Sequence, residues 1–204
     1  MLGAGLVAAL ALAASGCGGG GQSPAAEASK AGKPSCPATW RPGWQKLANR
    51  IGVTVYCPSW IPSPLTGDIK GRWSSGAQVD KDRSYLAGFI WVEHGDEVHV
   101  NLRGYPGRTS VPKCLNEEQV GKRLARTKVP CFSDPKWTRR IKGSAVTLYT
   151  VNRDADQWHL LFAWRRNGSL YALSEHVAPP FGYRRVVANL QHMYRSLVSI
   201  EPRT

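Results

Sequence analysis

The stretch Trp158–His176, WHLLFAWRRNGSLYALSEH, decides the fold, because it holds two apolar segments on either side of the dipeptide Asn167-Gly168. Asn-Gly is the best short-range signal for a type I′ turn, which connects neighbouring antiparallel strands. Counting outward from this turn places Trp164 opposite Tyr171, with further large apolar residues on the same face. We therefore predict a β-hairpin whose register is set by its turn.

The other face of this hairpin is also apolar, although its side chains are smaller: Leu161, Ala163, Leu170 and Ala172. A strand pair that is apolar on both faces is typical of the middle of a sheet with a layer packed on each side. Residues 85–107 predict a second hairpin. With Gly95-Asp96 as its turn, Trp91 would face Val100.

The remaining segments supply further strands and two helices. Residues 53–57, VTVYC, and 144–151, SAVTLYTV, predict strands, and residues 44–50 predict a short helix. Near the C-terminus, apolar side chains recur at helical spacing: Tyr183, Val186, Val187, Leu190, Met193, Tyr194 and Leu197. The predicted fold class is therefore α+β, an antiparallel sheet of about five strands with a C-terminal helix packed on one face.

Three segments carry a family resemblance: IKGSAVTLYTV at 141–151, LLFAWRRNGSLYALSEHV at 160–177 and VVANLQHMYRSLVSI at 186–200. They contain a glycine before an aliphatic strand, a hairpin with the motif NGxxYxL, and a final helix that ends in SL. In this order they resemble an uncharacterised domain of bacterial extracytoplasmic lipoproteins and anti-sigma-type regulators, which is distantly akin to lipoprotein-carrier folds. The resemblance covers roughly residues 50–200. It implies the fold and no catalytic residues.

The N-terminal residues have the pattern of a secretory signal. Residues 2–15, LGAGLVAALALAAS, would form a helix of about 21 Å, which is shorter than the roughly 30 Å hydrocarbon core of a bilayer. The tetrapeptide Ala-Ser-Gly-Cys at 14–17 resembles the lipobox of bacterial lipoproteins. This resemblance implies cleavage of a signal peptide, residues 1–16, and transfer of diacylglycerol to the thiol of Cys17. We therefore expect an extracytoplasmic protein that is lipid-anchored to the bacterial cell membrane.

A linker separates the predicted anchor from the domain. Residues 18–35 lack aromatic and large aliphatic side chains, so they cannot bury enough surface to offset the cost of ordering. We interpret residues 17–35 as the lipid anchor and a disordered linker, with a typical reach of about 25 Å. The domain then comprises residues 36–204.

Four cysteines remain for the domain: Cys36, Cys57, Cys114 and Cys131. Export to an oxidising compartment predicts that they form disulfides, and three connectivities are possible. The pairs Cys36–Cys57 and Cys114–Cys131 are favoured, because each encloses one irregular or proline-rich segment. A zinc site is the alternative. The wide spacings and the lack of a CxxC motif argue against it.

The charge balance indicates an anionic partner. The chain has 27 Lys and Arg against 14 Asp and Glu, a net charge of +13, and residues 1–17 carry none of it. Residues 117–126, EEQVGKRLAR, predict a short helix with its acids first and its bases last. The candidate anion-binding residues are Arg139, Arg140, Arg184 and Arg185. Anionic lipid, a glycan or an envelope protein are the expected partners. An exported protein rarely meets nucleic acid, and no recognised nucleic-acid-binding motif is present.

The motifs favour a binding or sensing module over an enzyme. The sequence contains no GxSxG, SxxK, HExxH or P-loop motif, and it indicates no cofactor. His159 and His176 lie opposite each other in the predicted hairpin, which makes them weak candidates for metal ligands. Two alternatives stay open. A carrier of an apolar ligand would need a deep cavity under the helix at 183–197, and a hydrolase of envelope polymers would need clustered carboxylates or a positioned nucleophile.

Overall fold

The computed structural model of the chain describes residues 33–66, 72–93, 96–151, 158–179 and 181–203. The residues from Pro34 onward form one compact unit. Their helices and strands follow in the order α1 (Arg41–Ile51), β1 (Val55–Pro58), β2 (Arg72–Val79), β3 (Tyr85–Glu93), β4 (Asp96–Tyr105), β5 (Lys113–Val120), β6 (Arg123–Pro130), β7 (Pro135–Ile141), β8 (Ser144–Val151), β9 (His159–Arg166), β10 (Ser169–His176), α2 (Tyr183–Ser196) and β11 (Leu197–Ile200).

Seven strands form the main antiparallel sheet, in the order β2-β3-β4-β10-β9-β8-β7. The predicted antiparallel sheet and C-terminal helix are confirmed, but the prediction of about five strands is wrong. The two additional strands lie at the edges, where apolar alternation is weakest. Strand β2, RWSSGAQV, consists mostly of small residues, and β7, PKWTRRI, begins with proline and carries cations. Both compositions are typical of edge strands.

The hairpin of β9 and β10 lies at the centre of the sheet with the predicted register. Trp164 pairs with Tyr171, and Asn167 and Gly168 have φ angles of 48° and 71°, as a type I′ turn requires. The predicted register of β3 and β4 is wrong by two residues, because Trp91 pairs with Val98 and not with Val100. A shift of two residues keeps every side chain on its predicted face.

One face of the sheet is buried by α2, α1 and the two-stranded sheet of β1 and β11. Val186, Leu190 and Met193 of α2 have no exposed surface, so the space under this helix is filled. The predicted helical stripe is confirmed in its centre and differs at both ends. Tyr183 is 49% exposed, and Leu197 begins β11, which pairs with β1.

The second face is covered at one end by the segments around the Cys114–Cys131 disulfide. The small apolar residues of β9 and β10 pack there with Tyr105, Cys131 and Phe132. The prediction that a layer covers each side of the central hairpin is correct for this end of the sheet. The other end of the face carries three histidines, which are described below.

Residues 113–130 form a two-stranded antiparallel hairpin, β5 and β6, and not the predicted helix. The charges that suggested a helix pair across the strands, since Glu117 lies opposite Arg126 with Oε1 and Nε 2.8 Å apart. Gly121 makes the connection with a φ of 62°, a conformation that glycine adopts at little cost and that would interrupt a helix. We call this hairpin the β5–β6 arm.

Neither helix of the described ranges is long and apolar enough to span a membrane.

Candidate functional site

The four domain cysteines form the two favoured disulfides. Cys36 is joined to Cys57 with a Cα–Cα distance of 5.6 Å, and Cys114 to Cys131 with a distance of 4.8 Å. The first bond holds the chain that precedes α1 against β1. The second closes the base of the β5–β6 arm. This pairing leaves none of the four thiols for nucleophilic chemistry or zinc. The predicted lipidation site, Cys17, lies outside the described residues.

A concentration of positive charge lies on the edge strand β7. Together with the turn and β8, residues 135–151 contain four cations and no carboxylate. The cations are Lys136, Arg139, Arg140 and Lys142, and all four are exposed. We call them the β7 basic edge.

The scaffold holds three of these cations in fixed positions. The guanidinium of Arg139 lies 4.7 Å from the ring centroid of Trp137, a cation–π contact. Arg140 donates a hydrogen bond of 2.9 Å to the carbonyl of Gly143, and Lys142 donates one of 2.7 Å to the carbonyl of Arg195. Each interaction leaves the positive charge on the surface, and none of these cations has an ion-pair partner among the described residues.

The other two predicted anion-binding residues, Arg184 and Arg185, lie in the first turn of α2 and are exposed. Lys142 of the β7 basic edge contacts α2 at Arg195, ten residues after Arg185. At ~1.5 Å per residue this separates the two groups by about 15 Å along the helix. The structure therefore divides the four arginines between two surfaces.

The charge of Arg185 also acts on a buried carboxyl beneath α2. Glu175, on β10 under α2, is completely buried, and Asn189 donates a hydrogen bond of 2.7 Å from Nδ2 to its Oε1. Burial raises the pKa of Glu175 to about 8, while Asn189 and the charge of Arg185 oppose this rise. The other carboxylate oxygen, Oε2, has no hydrogen-bond partner among the described residues. The sequence marks Glu175 as one of a few candidate carboxylates, but its burial was not predicted, although the predicted register places it on the face of Tyr171 and Leu173.

His159 and His176 pair across β9 and β10 as predicted, and His99 of the adjacent strand β4 joins them. The ring centroids are 4.4 Å apart for His99 and His159, 4.8 Å for His99 and His176, and 5.2 Å for His159 and His176. We call these residues the histidine cluster. His99 was not predicted, because its position depends on the pairing of β4 with β10, two strands that are far apart in the sequence.

Glu97 contacts two of the three rings of the cluster. Nδ1 of His176 donates to the carbonyl of Glu97 at 3.0 Å, and Nδ1 of His99 lies 3.0 Å from Oε1 of the same residue. Burial and the neighbouring His159, His176 and Arg103 lower the pKa of His99 to about 3. Burial therefore disfavours a proton on His99, whereas the carboxylate of Glu97 beside its Nδ1 acts in the opposite direction.

The cluster does not have the geometry of a metal site. The lone pairs of an imidazole lie in the ring plane, and the His176 ring is within 26° of parallel to both other rings. The nitrogens therefore point side by side and do not converge on one position. No group of three or more His, Cys, Asp or Glu in the described part of the chain could hold a metal ion. His176 and Glu175 are neighbours in β10, so their side chains point to opposite faces and cannot act as an acid–base pair.

An apolar groove lies between α1 and the strands β2 and β3. Its volume is about 270 Å³, and it is lined by Thr39, Trp40, Gly43, Trp44, Leu47, Ser75, Gly76, Ala77, Ala87, Gly88 and Phe89. Trp40 and Phe89 form one wall, with ring centroids 5.0 Å apart. The small residues of β2 leave the space open. The carrier alternative placed a ligand cavity under α2, where the core is filled. The run of small residues at 74–77 was the signal for a groove at α1.

Comparison with protein-family models, with curated proteins and with solved structures yields no match to this chain. The family resemblance of the hairpin and helix motifs therefore stays an expectation.

Proposed function

We propose that the chain is a lipid-anchored extracytoplasmic binding module that holds an anionic partner at the bacterial cell envelope. In this proposal Cys17 carries the lipid, and the residues that follow it connect the membrane to the disulfide-bonded domain. In this proposal the domain binds without chemistry of its own, and its four cysteines serve as two disulfides.

The β7 basic edge is the observation that carries this proposal. Its four cations face solvent, and the local sequence of β7 and β8 provides no acid to neutralise them. Cations on an edge strand also discourage pairing with another sheet. That role does not exclude a second one. Four cations, of which Arg139 and Arg140 are held by Trp137 and Gly143, suit a repeated anion such as a phosphate-bearing polymer or headgroup surface.

Charge reversal tests this function. The variant Arg139→Glu/Arg140→Glu should lose at least about tenfold in affinity for a soluble polyanion such as dextran sulfate, because electrostatic binding follows the number of cations engaged. Arg41→Glu/Lys46→Glu is the matched control. It changes the net charge equally but lies on α1, across a sheet whose seven strands span about 29 Å at ~4.8 Å per strand.

Equal losses in the two variants would show that only net charge matters and would contradict a binding site at β7. Unchanged binding by both variants would contradict it as well.

The groove beside α1 favours a second candidate function, transport of a small apolar ligand. Its walls include Trp40, Trp44 and Phe89, and its volume of about 270 Å³ suits a ligand the size of a single aromatic or short aliphatic group. This differs from a lipid carrier with a deep cavity under α2, because Val186, Leu190 and Met193 fill that space.

A further inference from the structure

The β5–β6 arm extends from the domain with nearly all of its side chains in solvent. Apart from Asn116, every residue from 115 to 128 is exposed except the half-buried Ala125. A two-stranded hairpin without a packed face is marginally stable in water, so the β5–β6 arm needs a further source of stability. The disulfide between Cys114 and Cys131 supplies covalent closure at its base.

The arm concentrates the exposed apolar surface of the domain. In the described ranges five large apolar side chains are exposed, and three of them lie on this hairpin: Leu115 at 53%, Val120 at 58% and Leu124 at 50%. Val120 and Leu124 flank the turn at Gly121, at the far end from the disulfide. In the register, Leu115 lies four residues nearer the base than Leu124 and five nearer than Val120, about 13–17 Å away at ~3.3 Å per residue.

The same tip is cationic. Residues 113–130 carry five cations and two acids, a net charge of +3, and one acid, Glu117, is paired with Arg126. Between Val120 and Leu124 stand Gly121, Lys122 and Arg123, with no acid. The tip therefore combines two exposed aliphatic side chains with two cations that have no anion beside them in the sequence.

We propose that the tip of the β5–β6 arm, residues 120–124, inserts into the interfacial region of an anionic phospholipid bilayer. Aliphatic side chains gain from leaving water at the acyl boundary, and Lys and Arg beside them meet the negatively charged headgroups. This inference rests on the proposed function, since it names anionic lipid as a partner and adds a second contact to the membrane beside the anchor at Cys17. A soluble anion could neutralise Lys122 and Arg123, but it offers nothing to Val120 and Leu124.

Vesicle flotation tests the inference with the full chain carrying Cys17→Ala, which removes the acylated thiol. The readout is the ratio of partition coefficients on phosphatidylglycerol-containing vesicles and on pure phosphatidylcholine vesicles. Residues 1–17 have no charge and contribute equally to both. We expect a ratio well above one for the parent chain, and a fall of at least about tenfold for Lys122→Glu/Arg123→Glu.

A second set of variants tests the apolar side chains of the tip. Val120→Ser/Leu124→Ser should lower partitioning onto the anionic vesicles by at least about tenfold, whereas Leu115→Ser, an equally exposed residue away from the tip, should change it less than about twofold. Far-UV circular dichroism and thermal unfolding of each variant confirm that the domain stays folded.

The outcomes separate this inference from the proposed function. If both tip variants bind vesicles like the parent chain, the membrane role of the arm is overturned, while loss of dextran sulfate binding in Arg139→Glu/Arg140→Glu would still support the β7 site. If the tip variants lose binding to vesicles and to dextran sulfate alike, the arm is a general anion site, and insertion into lipid is overturned. Loss on vesicles alone, with Leu115→Ser unaffected, supports the inference.

Discussion

Asn189 of α2 donates a hydrogen bond of 2.7 Å to Oε1 of Glu175 in β10, and this bond joins the C-terminal helix to the centre of the sheet. It is a buried polar contact next to residues such as Leu173 and Leu190 that have no exposed surface. A buried carboxyl with one hydrogen-bonded oxygen is stable in its protonated form and costly in its ionised form.

Glu175 should make the domain less stable at alkaline pH. Its pKa is about 8 in the folded chain against 4.5 for the free side chain, so the stabilisation is complete below pH 4.5 and is lost as the pH rises through about 8. We expect Glu175→Gln, which keeps the acceptor for Asn189, to raise the free energy of unfolding near pH 9 by on the order of 3 kcal/mol and to leave it almost unchanged near pH 4. Urea denaturation at the two pH values measures this. The exposed residue Glu118 provides the control, Glu118→Gln, which should have no such effect.

The histidine cluster should make the domain acid-sensitive. The pKa of His99 falls from 6.5 to about 3 on folding, so its contribution is present above pH 6.5 and is lost as the pH decreases toward about 3. The variant His99→Gln should therefore lose less stability than the parent chain between pH 6.5 and about pH 3, as followed by thermal unfolding. His192→Gln on α2, an exposed histidine outside the cluster whose ring stacks on Trp60, is the matched control. An acid slope that is the same in His99→Gln and the parent chain would argue against neutral stacked rings.

The two disulfides should contribute unequally to the core. Cys36→Ser/Cys57→Ser removes a bond between two buried residues and should lower the free energy of unfolding by about 2–4 kcal/mol. Cys114→Ser/Cys131→Ser opens the base of the β5–β6 arm. We expect it to increase amide hydrogen exchange in residues 113–130 more than in β9 and β10. Uniform exchange changes across both regions would contradict an arm that is independent of the main sheet.

The groove beside α1 should bind a small aromatic probe. In titrations with naphthalene, the indole N–H resonances of Trp40 and Trp44 should shift, and Ala77→Leu should abolish the shift, because residue 77 is exposed and lines the groove. Ser74→Leu is the matched control. Ser74 pairs with Ile90, so its side chain projects from the other face of β2. Shifts that persist in Ala77→Leu would place the probe elsewhere and remove the second candidate function.

The centre of the fold could be predicted because local chemistry determines it. Asn167-Gly168 fixes one turn type and therefore every pair from Trp164–Tyr171 to His159–His176. The register of β3 and β4 failed because the connection is one residue earlier than Gly95-Asp96: Glu93 pairs with Asp96.

The edges and surfaces were harder to predict, since few apolar residues mark them. The charge pattern of 117–126 fits cross-strand pairs as well as a helix, and Gly121 was the residue that distinguished the two. The histidine cluster and the groove depend on long-range packing, of β4 on β10 and of α1 on β2. Turn chemistry and periodicity do not encode such contacts. The burial of Glu175 could have been predicted from the hairpin register alone, because the register places this residue on the core face near the end of β10.

Export with a lipid anchor at Cys17 is the central claim, because the expectations of disulfides and of an anionic envelope partner both depend on export. Its most direct test is intact mass and membrane fractionation of the chain expressed in a bacterium, beside Cys17→Ala. We predict a parent chain in the membrane fraction that begins at Cys17, carries the mass of a diacylglycerol and has no free thiol in the domain, and a variant that loses the lipid mass and leaves the membrane fraction. A parent chain that keeps residues 1–16, has an unmodified Cys17 and contains four reduced domain cysteines would contradict the claim.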